Sequence, residues 1–148
     1  MIADASLAPM QSRELHLRTS GPTAIVDLTD ACADFVAEAA GGGDGLLSVF
    51  VPHATAGLAL IELGAGTDED LRATLERLLP HDDRWRHSHG SRGHGADHVL
   101  PALVPPSLTI PVIGGRMALG TWQSVALVDP NDDNPERRVR LSFLGDEA

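Results

Sequence analysis

The sequence predicts an α+β fold whose sheets are mostly antiparallel, with about eight strands and two or three helices. Three observations carry this. Most apolar runs are of strand length and are divided by Gly, Pro or Asn-Asp turn signals. One segment, Asp68 to Leu79, carries a single helical stripe. The last segment, Arg137 to Leu144, alternates, with Val139, Leu141 and Phe143 facing one way and Arg138 and Arg140 the other.

Met1 to Ser12 reads as a loose leader, and residues 13–148 as one domain with no repeat and no linker. Leu15 and Leu17 share a face of a strand over Glu14 to Arg18. Gly21-Pro22 turns the chain into an apolar run, Thr23 to Leu28. A helix follows, capped by Thr29 or Asp30, with Phe35, Val36 and Ala39 at helical spacing and Gly41-Gly42-Gly43 as its stop. Leu46 to Val51 is a buried strand that delivers Pro52 and His53 at its end, and Gly57 to Ile61 is another short run. The clearest helix starts at a Thr67 cap. It places Leu71, Leu75, Leu78 and Leu79 on one stripe and stops at Pro80.

His81 to Gly95 is polar, and Asp97 to Val104 is ambiguous, because Pro101 fits a helix only in its first turn. Ser107 to Ile113, a Gly114-Gly115 turn and Met117 to Leu119 read as a hairpin. Trp122 to Val128 reads as a strand, Asp129 to Pro135 as a loop, and Arg137, Arg138 and Arg140 as a charged outer strand face.

Composition excludes several chemistries. The 148 residues suit one domain with a real core, and 43% are hydrophobic. Tyr is absent, so Leu, Val, Ile and Ala must fill that core. The formal charge of −10 repels nucleic acid and anionic lipid, so neither is an expected partner. All eleven basic residues are Arg, which removes lysine Schiff bases and the P-loop lysine. The lone Cys32 excludes an intrachain disulfide and reads as a buried structural thiol. No apolar run nears the ~18 residues of a membrane span, and no signal peptide shows, so the cytoplasm is the expected compartment.

Five of the seven histidines, His81, His87, His89, His94 and His98, lie in one short polar stretch. Neutral imidazole is the usual protein ligand for zinc-like metals. His94 and His98 are four apart, so one helical turn puts both on one face. His87-Ser88-His89 can present two rings on one side of an extended segment. The competing reading is a solvated, flexible loop.

His53-Ala54-Thr55-Ala56-Gly57 follows a strand with small residues that let backbone N–H groups approach an anion, and Thr55 adds a hydroxyl. Glu62 ends the next run, as a metal ligand, a general base or a surface residue. Trp122 and Gln123 form either a pocket wall or a hydrophobic plug with its neighbouring turn. Arg116 is a phosphate holder or a solvated hairpin residue.

In this order, His53-Ala54-Thr55-Ala56, Glu62, the acidic helix Asp68 to Leu79, His87, His98, Gly115-Arg116-Met117-Ala118-Leu119-Gly120-Thr121-Trp122-Gln123 and Arg137-Arg138-Val139 resemble the YjbQ-like family, often labelled secondary thiamine-phosphate synthase. The resemblance covers nearly all the chain from Glu14 onward, and Leu119 to Gln123 is its most specific part. Relatives carry Thr where Ala54 stands, Asn-Glu where Ile61-Glu62 stands, and often Asn where His94 stands. The resemblance implies a compact α+β fold of sandwiched sheets and a homotrimer with sites near subunit contacts. It also implies weak thiamine-phosphate synthesis, in which a thiazole phosphate displaces pyrophosphate from a pyrimidine methyl diphosphate.

The resulting expectation is one pocket for a small phosphorylated metabolite and a divalent metal, zinc or magnesium. His53, His87 and His98 are its metal ligands and His94 a further ligand. Glu62, Thr55 and Gln123 are its catalytic groups, with Arg116 and Trp122 binding the metabolite. His81 and His89 are set aside as incidental. The rival expectation is a trimer that binds a metal or metabolite without turnover.

Overall fold

The computed structural model describes residues 10–145. The expected leader therefore lies outside the described residues up to Pro9. Gln11 and Ser12, the last two residues of that stretch, pair in the first strand.

The elements run β1 Gln11–Arg18, β2 Ala24–Asp27, α1 Thr29–Ala39, β3 Gly45–Phe50, β4 Gly57–Ile61 and α2 Thr67–Leu78. They continue with α3 Gly95–Val99, a 3₁₀ turn Leu100–Ala102, β5 Ser107–Ile113, β6 Arg116–Met117, β7 Ser124–Asp129 and β8 Glu136–Gly145. The fold is α+β with two wholly antiparallel sheets. The large sheet has the order β1-β8-β3-β5-β6 and the small sheet β2-β7-β4. The ambiguous segment around Pro101 resolves into α3 and the 3₁₀ turn, with Pro101 in the first turn where it loses no hydrogen bond.

Strand period places the core. Leu47 and Val49 of β3, Ile110 and Val112 of β5, and Val139, Leu141 and Phe143 of β8 point inward from the large sheet. They meet Leu58, Val125 and Leu127 of the small sheet and Cys32, Phe35, Val36 and Ala39 of α1. Cys32 is fully buried, and burial followed by the nearby Asp27 charge pushes its thiol up to about 12.

The other face of β7 is covered too. Leu75 of α2 and Leu79 just past its end, with Ala96 and Leu100 of the α3 segment, pack on Val128. A strand buried on both sides has no polar face, which is why Val125 to Val128 reads as a continuous apolar run.

Two expected caps differ in the structure. Gly66, with φ 94°, precedes α2 instead of Thr67, and Asp68 accepts the Gly64 N–H at 2.7 Å. Leu28 precedes α1, while the Thr29 hydroxyl donates to Asp27 and accepts the Val125 N–H at 2.9 Å. That hydroxyl ties α1 to β7. Two further expectations are corrected. Arg137 is 2% exposed and points inward, because it shares the parity of Val139 and Leu141. β7 starts at Ser124, so Trp122 and Gln123 lie in the turn before it.

Candidate metal centre

Pro80 ends α2, and Trp85 pins the next segment back, its indole N–H donating to the Pro80 carbonyl at 2.8 Å. The chain then folds tightly through Gly90 and Gly93, both at positive φ. A Cβ at Gly90 would stand 2.8 Å from Asp133 Oδ2 and 3.0 Å from His94 Cδ2. Glycine is therefore required for the approach of those groups. His94 has helical dihedrals directly before α3, so His94 and His98 share a face, with their Nε2 atoms 2.9 Å apart.

His87 and His89 complete a cluster. Their ring centroids are 4.0 Å apart, His87 and His98 are 4.1 Å apart, and His94 and His98 are 4.7 Å apart. The three remaining pairs lie between 5.6 and 5.9 Å. His87, His89 and His94 each offer a ligand atom within 4.8 Å of the other two.

The electrostatics favour the neutral form of two of these rings. Burial, and then the charges of neighbouring imidazoles, hold His87 and His98 below the ordinary imidazole value. His94 is 7% exposed. Its Nδ1 lies 3.0 Å from Asp133 Oδ2 and 3.6 Å from Asp97 Oδ2 but makes no aligned hydrogen bond. Asp97 is buried beneath the cluster and receives His81 Nε2 at 2.6 Å. Burial alone would lower His81, but its contacts with Asp97 and Glu76 outweigh that and raise it. Burial raises Asp97 despite His81.

This donor set fits a divalent cation of the zinc class. It offers imidazole nitrogens within reach of one another, with carboxylates behind one of the rings.

The expected pocket is divided. His87 and His98 come together, joined by His94 and by His89, which sequence spacing had set aside. His53 does not join them. Where β3 has left the sheet, its Nε2 accepts the Arg138 backbone N–H at 2.9 Å, standing in for a ladder carbonyl. Burial, then Arg137 and Arg138, lower its pKa. The Thr55 hydroxyl is buried and accepts from Asn131 Nδ2 at 3.0 Å.

Glu62 and Gln123 lie at the opposite end of the small sheet, beside the paired Ile61 and Ser124. β7 separates them from Asp129 by about 20 Å at its ~3.3 Å rise per residue. Gln123 Oε1 accepts the Gly120 N–H, and the turn it closes leaves Trp122 72% exposed, neither a core plug nor a wall of the histidine cluster. Arg116 is exposed on the β5–β6 hairpin at the edge of the large sheet. Sequence reasoning also passed over Asp97, Asn131 and Asp133. Asp97 had a local signal in its place beside His98; Asp133 had none, since it meets Ser91 from across the chain.

A model described as UPF0047 protein YjbQ-like matches residues 13–146. A UPF0047 protein of Mycobacterium tuberculosis is 67% identical over 120 residues, 81% of this chain and 88% of the relative. A UPF0047 protein of Methanothermobacter thermautotrophicus is 35% identical over 135 residues, 90% of this chain and 92% of its own. Among solved structures, a hypothetical protein of Aeropyrum pernix K1 superposes with TM-score 0.83 at 31% identity, over 92% of this chain and 99% of its own. A protein of unknown function from Sulfolobus solfataricus shares the fold at TM-score 0.86 and 24% identity, over 93% of this chain and 99% of its own.

Proposed function

The chain belongs to the YjbQ-like UPF0047 family, and on that premise we propose that it is a metal-dependent enzyme acting on a small phosphorylated metabolite. His87, His89, His94 and His98 hold its cation. One observation carries the reading, the mutual approach of these four rings with His94 and His98 Nε2 atoms 2.9 Å apart. An all-imidazole set favours zinc over magnesium, which prefers oxygen donors. A bound divalent cation supplies electrostatic stabilisation to a phosphate or pyrophosphate leaving group.

The chain's own residues do the rest. His94 has two carboxylates behind it, Asp133 at 3.0 Å and Asp97 at 3.6 Å from its Nδ1. His87 and His98 stay neutral, and so competent as ligands, at neutral pH. His53 serves the sheet, and Glu62, Trp122, Gln123 and Arg116 stand outside this centre. The finer form of the proposal is thiamine-phosphate-synthase-like displacement of pyrophosphate.

The test starts with protein stripped by a chelator and reloaded with zinc. Metal analysis should find about one zinc per chain. His94→Ala combined with His98→Ala should abolish uptake, while His53→Ala keeps it. Uptake that survives the double substitution sinks the metal reading. Turnover of the two thiamine precursors that disappears on stripping and returns with zinc supports the enzyme. Zinc uptake without turnover favours the rival, a binding protein.

A further inference from the structure

We infer that Asp133 is a positioning residue for this metal centre, set in place by a chain of contacts from the buried Arg137–Asp129 pair. The inference rests on the metal reading above and adds a function for Asp129 to Pro135, which the sequence marks only as a loop. The chain begins where β7 ends. Asp129 is 1% exposed and receives Arg137 through two nitrogens, Nε at 2.7 Å and Nη2 at 3.0 Å. Thr19 donates a third bond to it at 2.6 Å.

Asp129 Oδ1 accepts the Asn131 N–H at 3.2 Å. The Asn131 side chain then works in both directions, donating to Thr55 at 3.0 Å and accepting the Asp133 N–H at 3.0 Å. Asp133 reaches over the histidine segment, where its Oδ2 accepts the Ser91 N–H at 3.1 Å and stands 3.0 Å from His94 Nδ1. Gly90 leaves the room for it.

A carboxylate on one imidazole nitrogen favours the tautomer with the proton there and leaves the other nitrogen free as a ligand. Here it leaves His94 Nε2 free, facing His98. A loop anchored only for stability has no reason to deliver a carboxylate to a buried ring nitrogen.

Asp133→Asn keeps an acceptor for Ser91 but removes the charge, so it separates the two roles. Two measurements decide. In the metal-free parent, imidazole ¹⁵N spectra should show His94 protonated at Nδ1, and Asp133→Asn should lower that population. Zinc competition against a chromophoric chelator should show affinity reduced about 10- to 100-fold in Asp133→Asn. Asn131→Ala should act in the same direction, and the double variant should be no weaker than the worse single one. The melting temperature of metal-free Asp133→Asn should stay near the parent's.

A parent that binds zinc beside an Asp133→Asn variant that binds it equally overturns this inference alone. A His94 protonated at Nε2 in the metal-free parent overturns it too. A parent that binds no zinc overturns the metal reading and this inference with it.

Discussion

His81 and His98 show how one residue type acquires opposite behaviour in one cluster. His98 is surrounded by other imidazoles, while His81 leans on Asp97 and Glu76. A proton-detected titration should find His81 above the ordinary value of 6.5, and His53, His87 and His98 below it. The lowered histidines bind fewer protons folded than unfolded. Their contribution is present above 6.5 and is lost as pH falls through their folded values. His81 does the reverse, stabilising below 6.5 and losing its contribution as pH rises through its raised value. A His98 that titrates above His81 would refute this assignment. Sequence made the His94–His98 pair readable, because spacing by four is a local fact. His89 was not readable, since whether a loop ring points into a cluster or out to water depends on the turn at Gly90. Asp133 was beyond reach for the same reason over a longer range.

At the scale of elements, β7 and β8 meet at the Arg137–Asp129 pair, with side chains 2% and 0% exposed. The strand alternation in the sequence placed Arg137 on the inward side by parity, yet charge argued for the surface. Parity won, because Asp129 and Thr55 supply its partners. Arg137→Leu should cost about 3–5 kcal/mol, since it leaves a buried carboxylate unpaired. The double variant Arg137→Leu with Asp129→Leu should recover much of that loss. Urea unfolding of the two singles and the double measures it. Additive losses in the cycle would mean that the pair has no special coupling. The elements themselves were well marked in sequence. Ser107–Ile113 and Gly57–Ile61 match their expected bounds. The helix ends were less legible, since Gly66 and Leu28 occupy the cap positions without a side-chain bond.

For the whole molecule, the outward face of the large sheet carries large apolar side chains. Leu46, Phe50, Ile113 and Leu144 are each at least 42% exposed there. Leu46 and Leu144 are direct cross-strand partners. The homotrimer that the resemblance implies would have these exposed apolar side chains to bury, the Leu46–Leu144 pair first. Light scattering should give a trimeric mass for the parent and a smaller one for Leu46→Glu with Leu144→Glu. An unchanged mass would place the contact elsewhere. β8 carries a further consequence, because it is the last strand in sequence order yet stands between β1 and β3. Gln11 finds its partner only at Phe143. During synthesis β1, and the edge of β3 that faces β8, are made well before the strand that pairs with them. At about 5–20 residues per second that interval is several seconds. Assembly is therefore a matter of timing as well as of packing, because the large sheet cannot close until β8 has been made.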